Sequence, residues 1–185
     1  MTILDTGKAY PQNAVLSIPL PKDPDQRVLA TIQGIAGMTD EARHMPYVAQ
    51  VAQLLEATRD LVPAPPGIPA NLFALFRLIK RRFTFTRDPP GHELVRFADY
   101  WADQVLHTSG RLEADCDDLA AFAVAIVKVM GYRPVLIVVG TAAKGPFQHI
   151  FYGAIVAGQL IPFDPQETRE PGIEPPSARR HEMRL

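Results

Sequence analysis

The sequence predicts an α+β protein, and three observations carry that prediction. Apolar residues recur at helical spacing through the first half of the chain. A further helical run, LAAFAVAIVKVM (119–130), is apolar all round except for Lys128, which marks a helix buried in the centre of a fold. Three apolar strands then follow in close succession: PVLIVVG (134–140), HIFYGAIV (149–156) and QLIPF (159–163). Helices first and a short antiparallel meander afterwards give helices gathered on one side of a small sheet.

Taken in order, residues 14–20 (AVLSIPL) are too broken by proline for a central strand and suit an edge or an arm. From Asp25 to about Gly37, Val28, Leu29, Ile32, Ile35 and Ala36 keep helical spacing, with glycine as the stop. Thr39 or Asp40 is placed to cap a second helix through Val48, Val51, Leu54 and Leu55. After the linker VPAPPGIP, Asn71 is placed to cap a third, whose face is Leu72, Leu75, Phe76 and Ile79. Lys80-Arg81-Arg82 closes that helix where its dipole favours cations. FTFT (83–86) reads as a short extended segment and DPPG (88–91) as a turn. Residues 93–107 read as one or two helical pieces carrying Phe97, Tyr100 and Trp101. Asp115 is the expected N-cap of the central helix, with Asp118 three residues on, and Gly131 the expected C′ residue. Ala157-Gly158 is a tight turn between the last two strands.

Composition narrows the function classes. A chain of 185 residues with 19 basic and 20 acidic side chains has a formal net charge of −1. That balance argues against non-specific binding to nucleic acid or an anionic membrane. No apolar run approaches the roughly 20 residues that span a bilayer, and no secretory leader opens the sequence. The single cysteine excludes an intrachain disulfide and a multi-cysteine zinc site, so a reducing, cytoplasmic setting is expected. The 18 prolines cluster near both termini and in the mid-chain linker. Extended, proline-rich termini gain little from their own domain, so contact with other protein subunits is expected to order them.

Chemistry concentrates at element ends. Cys116 opens the buried helix, His149 opens a strand, and Asp164 follows the end of the next. Taken singly, each has a plainer reading: a small core residue, a satisfied strand histidine, a strand terminator before proline. Together they are the set a cysteine hydrolase needs. The thiolate attacks a carbonyl, the imidazole holds and returns its proton, and the carboxylate orients the imidazole. The helix N-terminus favours the thiolate and offers free N–H groups to an oxyanion. Asp115, Asp117 and Asp118 pull the other way, since negative charge beside a thiol opposes its ionisation.

ADCDDLAAFAVAIVKVMGYRPVLIVVG, then QHIFYGAIV, then LIPFDP resembles the transglutaminase-like cysteine peptidase superfamily, over about residues 88–166. With DPPGHELVR upstream, the pattern looks most like copies encoded in bacteriophage and prophage structural gene clusters. Ala114 stands where that family usually has glycine, and no tryptophan follows the histidine strand, leaving Trp101 or Phe163 to supply an aromatic wall.

The resemblance implies a papain-like arrangement, and the proline clusters set off an N-terminal arm (1–24) and a proline-rich tail (165–185) from a domain over 25–164. Within the domain a helical part (25–87) precedes a catalytic core (88–164). It implies a Cys116-His149-Asp164 triad acting on a protein or peptide substrate with no required cofactor. Some bacterial relatives bind calcium beside the cysteine, where this chain has Asp115 and Asp117, although capping is the reading that the residues favour. The alternative function is a virion structural component, in the head, connector or tail, using the same fold with the site inactive or auxiliary.

Overall fold

The computed structural model describes residues 2–4, 15–17, 22–87, 94–168 and 170–185. The DPPG turn at 88–91 lies outside the described residues. The mixed α+β class holds. Five α-helices occur among the described residues: α1 (Pro24–Asp40), α2 (Pro46–Ala57), α3 (Ala70–Arg82), α4 (Ala98–His107) and α5 (Cys116–Val129). The strands are β1 (Thr2–Leu4), β2 (Val15–Ser17), β3 (Phe83–Phe85), β4 (Leu94–Arg96), β5 (Leu112–Ala114), β6 (Arg133–Gly140), β7 (His149–Val156), β8 (Gln159–Phe163) and β9 (Arg179–Arg184).

Helix α5 is the hub. Every residue from Asp117 to Val127 is buried, and α1, α2, α4, β6 and β7 all pack on it. Its body follows from composition, because alanines let neighbours approach while Phe122, Val124 and Ile126 fill the space between them. Its C-terminus closes as a Schellman motif. Gly131 takes φ +86°, Tyr132 N–H donates to Val127 O at 3.1 Å and Gly131 N–H to Lys128 O at 3.0 Å.

The main sheet has the order β8-β7-β6-β9, antiparallel throughout, with His149 opposite Val139 and Tyr152 opposite Phe163. Ala157 and Gly158, at φ 50° and 82°, make the two-residue β7–β8 turn. One face (Leu136, Val138, Ile150, Tyr152, Ala154, Phe163) joins the helical core. The other carries a smaller cluster of Val135, Ile137, Val139 and Phe151. The helical part and the sheet therefore share one core.

Several expectations are corrected. Helix α1 runs past Gly37 to Asp40, because Met38 and Thr39 still have core surface to bury. Neither Thr39 nor Asp40 caps α2, which starts at Pro46 after a short 3-10 turn, with Pro46 preset for a first helical position. Asn71 lies inside α3, whose N-cap is Pro69, and its side-chain oxygen instead accepts from Tyr132 at 3.1 Å.

The termini differ more. Residues 2–4 pair with 15–17, which pair in turn with β4, so the segment expected as an edge or arm supplies the middle strand of a three-stranded antiparallel sheet. Both stretches lack proline and keep the donors a ladder needs. The C-terminal segment 179–184 is likewise the fourth strand of the main sheet. RRHEMR is proline-free, and it covers the β6 edge that would otherwise be unpaired. Arg179 fastens its start, pairing with Asp25 at 2.9 Å and lying 4.3 Å over the Phe147 ring.

Candidate active site

Strand β5 pairs in parallel with β3 and delivers the chain to Asp115, the N-cap of α5, whose Oδ1 accepts the Asp118 N–H at 3.1 Å. Among the described residues Ala157 is the positive-φ non-glycine, so the backbone at Ala114 makes no demand for glycine. Cys116 is the first residue of α5 and half-buried. With the Asp118 N–H spent on the cap, the N–H groups of Cys116 and Asp117 are the free donors of the first turn.

His149 opens β7, and its Nε2 meets Asp164 Oδ2 at 2.8 Å. The Cys116 side chain lies close enough to the same ring to favour its charged form. Since Asp164 occupies Nε2, Nδ1 is the nitrogen left for sulfur. Burial works against a charged imidazole, but Asp164 and then Cys116 outweigh it and raise His149 to about 10. The ring also stacks on Phe151 at 5.7 Å and 27°.

Asp164 is fully buried just beyond β8. Its Oδ1 accepts the N–H groups of Gln166 and Glu167, both at 3.1 Å. Its carbonyl accepts Thr168 N–H at 3.1 Å and Thr168 Oγ1 at 2.7 Å. Both carboxylate oxygens are thus satisfied without water, and the one facing His149 is held in place from behind. Tyr152 lies close enough that burial and then the Asp164 charge push its hydroxyl well above its ordinary value.

The acidic surroundings of Cys116 turn out to be less negative than the sequence suggests. Asp117 is buried, and burial followed by the neighbouring Asp115 carboxyl pushes it well up, toward the neutral acid. Asp118 is raised to about 7 by burial and Asp115, against the opposing pull of Arg96. Arg96 donates to it twice, from its backbone N–H at 2.7 Å and its Nη1 at 3.1 Å. One carboxyl is pushed toward its neutral form and the other is matched by a guanidinium. The same pair ties β4 to the start of α5.

The structure thus pairs His149 directly with Asp164 and sets Cys116 close enough to influence the same ring. It does not bring the expected aromatic wall. Trp101 is buried against Phe83 at 5.7 Å and Phe163 stacks on Tyr152 at 5.3 Å, so both serve the core. The ring beside the imidazole is Phe151, legible in HIF as the residue two places on, on the same strand face. Asp115 is engaged as the helix cap, its Oδ1 accepting the Asp118 N–H. Calcium takes about six to eight oxygens, and among the described residues no group of three or more such side chains is placed to hold a metal ion. Among them, too, no helix is long and apolar enough to cross a membrane.

No family model matches this chain, and no curated protein matches it. Among solved structures it is similar to a "putative protease" from Parabacteroides distasonis ATCC 8503, at 10% identity and a TM-score of 0.45. The match covers 73% of this chain and 26% of that one, so the chain spans about a quarter of that protein's length. A superposition that loose establishes neither a shared fold nor a shared activity.

Proposed function

We propose that this chain is a thiol hydrolase with a transglutaminase-like fold, cleaving a peptide or isopeptide amide through Cys116, His149 and Asp164. The observation that carries the reading is the convergence of three element ends on one imidazole, with Asp164 on Nε2 at 2.8 Å and Cys116 beside the same ring. A histidine raised to about 10 is an imidazolium at neutral pH, the counter-ion a thiolate needs.

The reaction follows from these positions. The Cys116 sulfur attacks the carbonyl carbon and the C=O electron pair moves onto oxygen, facing the free N–H groups of α5. As the C–N bond breaks, the leaving nitrogen takes the proton from His149, and a thioester remains. Water then gives a proton to His149 and adds its oxygen to the thioester carbon. The C–S bond breaks, releasing the carboxylic acid and restoring the pair. An amine in place of water yields a crosslink by the same steps. Asp164 stays ionised and keeps the imidazole oriented.

The test is alkylation of Cys116 by iodoacetamide across pH, in the wild type and in His149→Ala. The wild type is expected to react faster than a free thiol below about pH 7, and the variant to lose that advantage. Equal rates would overturn the proposal. The alternative of a virion component rested on arms ordered by other subunits. It loses much of that support, since segments of both arms pair with strands of their own chain.

A further inference from the structure

Helix α3 ends in three consecutive bases that suit its dipole, yet each has different surroundings. Arg81 is exposed. Arg82 is spent on the end of α4, donating to Val105 O at 3.1 Å and Thr108 O at 2.6 Å. Lys80 is half-buried, with its ammonium 5.4 Å from the centre of the Phe76 ring, and it donates to Thr168 O at 2.6 Å. Thr168, itself buried, sends its N–H and its hydroxyl to the Asp164 carbonyl, the hydroxyl also reaching Glu170 O at 3.2 Å. A continuous line therefore runs from the α3 ammonium through Thr168 to Asp164, and from there to His149.

We infer that Lys80 is a positioning residue of this site, acting through Thr168 to fix the Asp164 turn against α3. The turn at 164–168 lies just beyond β8, outside the sheet ladder that would otherwise hold it. A short, charge-assisted bond to the last carbonyl of the turn restricts its rotation, and with it the direction of the carboxylate. Phe76, one turn back on α3, packs on Phe163 at 6.4 Å, so the helix grips the end of β8 on both sides of Asp164. The inference rests on the hydrolase reading, because it assigns Lys80 a role in that triad.

The experiment follows the His149 ring by 15N NMR titration and Cys116 by iodoacetamide alkylation in the full chain. Lys80→Met keeps the apolar stem and removes the ammonium. It is expected to lower the pH at which His149 titrates and to slow alkylation below neutral pH about three- to tenfold. Lys80→Arg should restore most of both, and Arg81→Met should change neither. Thr168→Ala cuts the same line at its midpoint and should act in the same direction, which keeps the test open if Lys80→Met fails to fold. An unchanged His149 titration in the folded variant overturns the inference. If the wild type shows no alkylation advantage but Lys80→Met still lowers the titration, the hydrolase reading fails and the positioning link stands.

Discussion

The two ends of α5 are built on different principles. At the C-terminus, the N–H groups of Gly131 and Tyr132 satisfy the last carbonyls locally, and Lys128 reaches Asp40 at 2.6 Å. Each of these groups favours the helix. At the N-terminus three buried aspartates, Asp115, Asp117 and Asp118, flank a thiol, and the last two are pushed upward. A helix start needs one cap, and Asp115 supplies it. The remaining carboxyls make the end harder to bury than an apolar or amide sequence would be. Consistency across levels is satisfied at one end and broken at the other, which is the pattern expected where a site is placed on a stable scaffold.

The stretch between the ends sets the scale. Phe122 is fully buried at the middle of α5, and Phe122→Ala should cost about 3–5 kcal/mol, read by urea denaturation. A loss below 1 kcal/mol would mean that α5 is not the hub, and the comparison of its ends would lose its basis. Next comes Asp164→Asn, which keeps the shape and removes the charge. His149, raised to about 10 in the wild type, should then titrate about one to three pH units lower, measured by NMR. An unchanged titration would break the polar end's claim to be an organised ion pair.

The pH dependence of stability follows from the same groups. Asp117, Asp118 and His149 all have folded values above their unfolded ones, so the native state binds more protons than the unfolded chain. Stability contributed by such groups is fully present below the unfolded value and lost as pH rises through the folded one. For Asp118 the loss runs from 3.8 to about 7, and for His149 from 6.5 to about 10. Denaturation midpoints should therefore fall between pH 5 and pH 9, with a shallower fall in Asp117→Asn. A midpoint that climbs toward alkaline pH would contradict the sign. The smallest effect belongs to the other end: Gly131→Ala forces a side chain into φ +86° and should cost about 1 kcal/mol. Alkylation of Cys116 should be untouched by it, and a change there would show that the two ends are coupled.

What was readable in advance follows the same division. The α5 cap, its glycine stop and the bounds of β7 and β8 could be read because each depends on neighbours in sequence: an aspartate at N-cap, a left-handed C′, an Ala-Gly turn. Strand β4 and strand β5, three residues each, could not, because they exist only through partners far along the chain. The N-terminal segments were misread for the same reason. Proline content was the visible signal, and the short proline-free pieces between the prolines did the pairing.

By itself the sequence determined the helix that carries Cys116, the strand that carries His149, and the aspartate that ends the next. It could not determine that they meet. Strand alternation assigns His149 to the face of Phe151, away from the face that packs on α5. His149 is the first residue of its strand, and Cys116, on a different element, acts on the same ring. Nor does local sequence show that Asp117 is held toward neutrality and Asp118 matched by Arg96, 22 residues earlier. Charge and proton occupancy depend on burial and on partners distant in sequence, and these are fixed only when the chain closes into its tertiary structure.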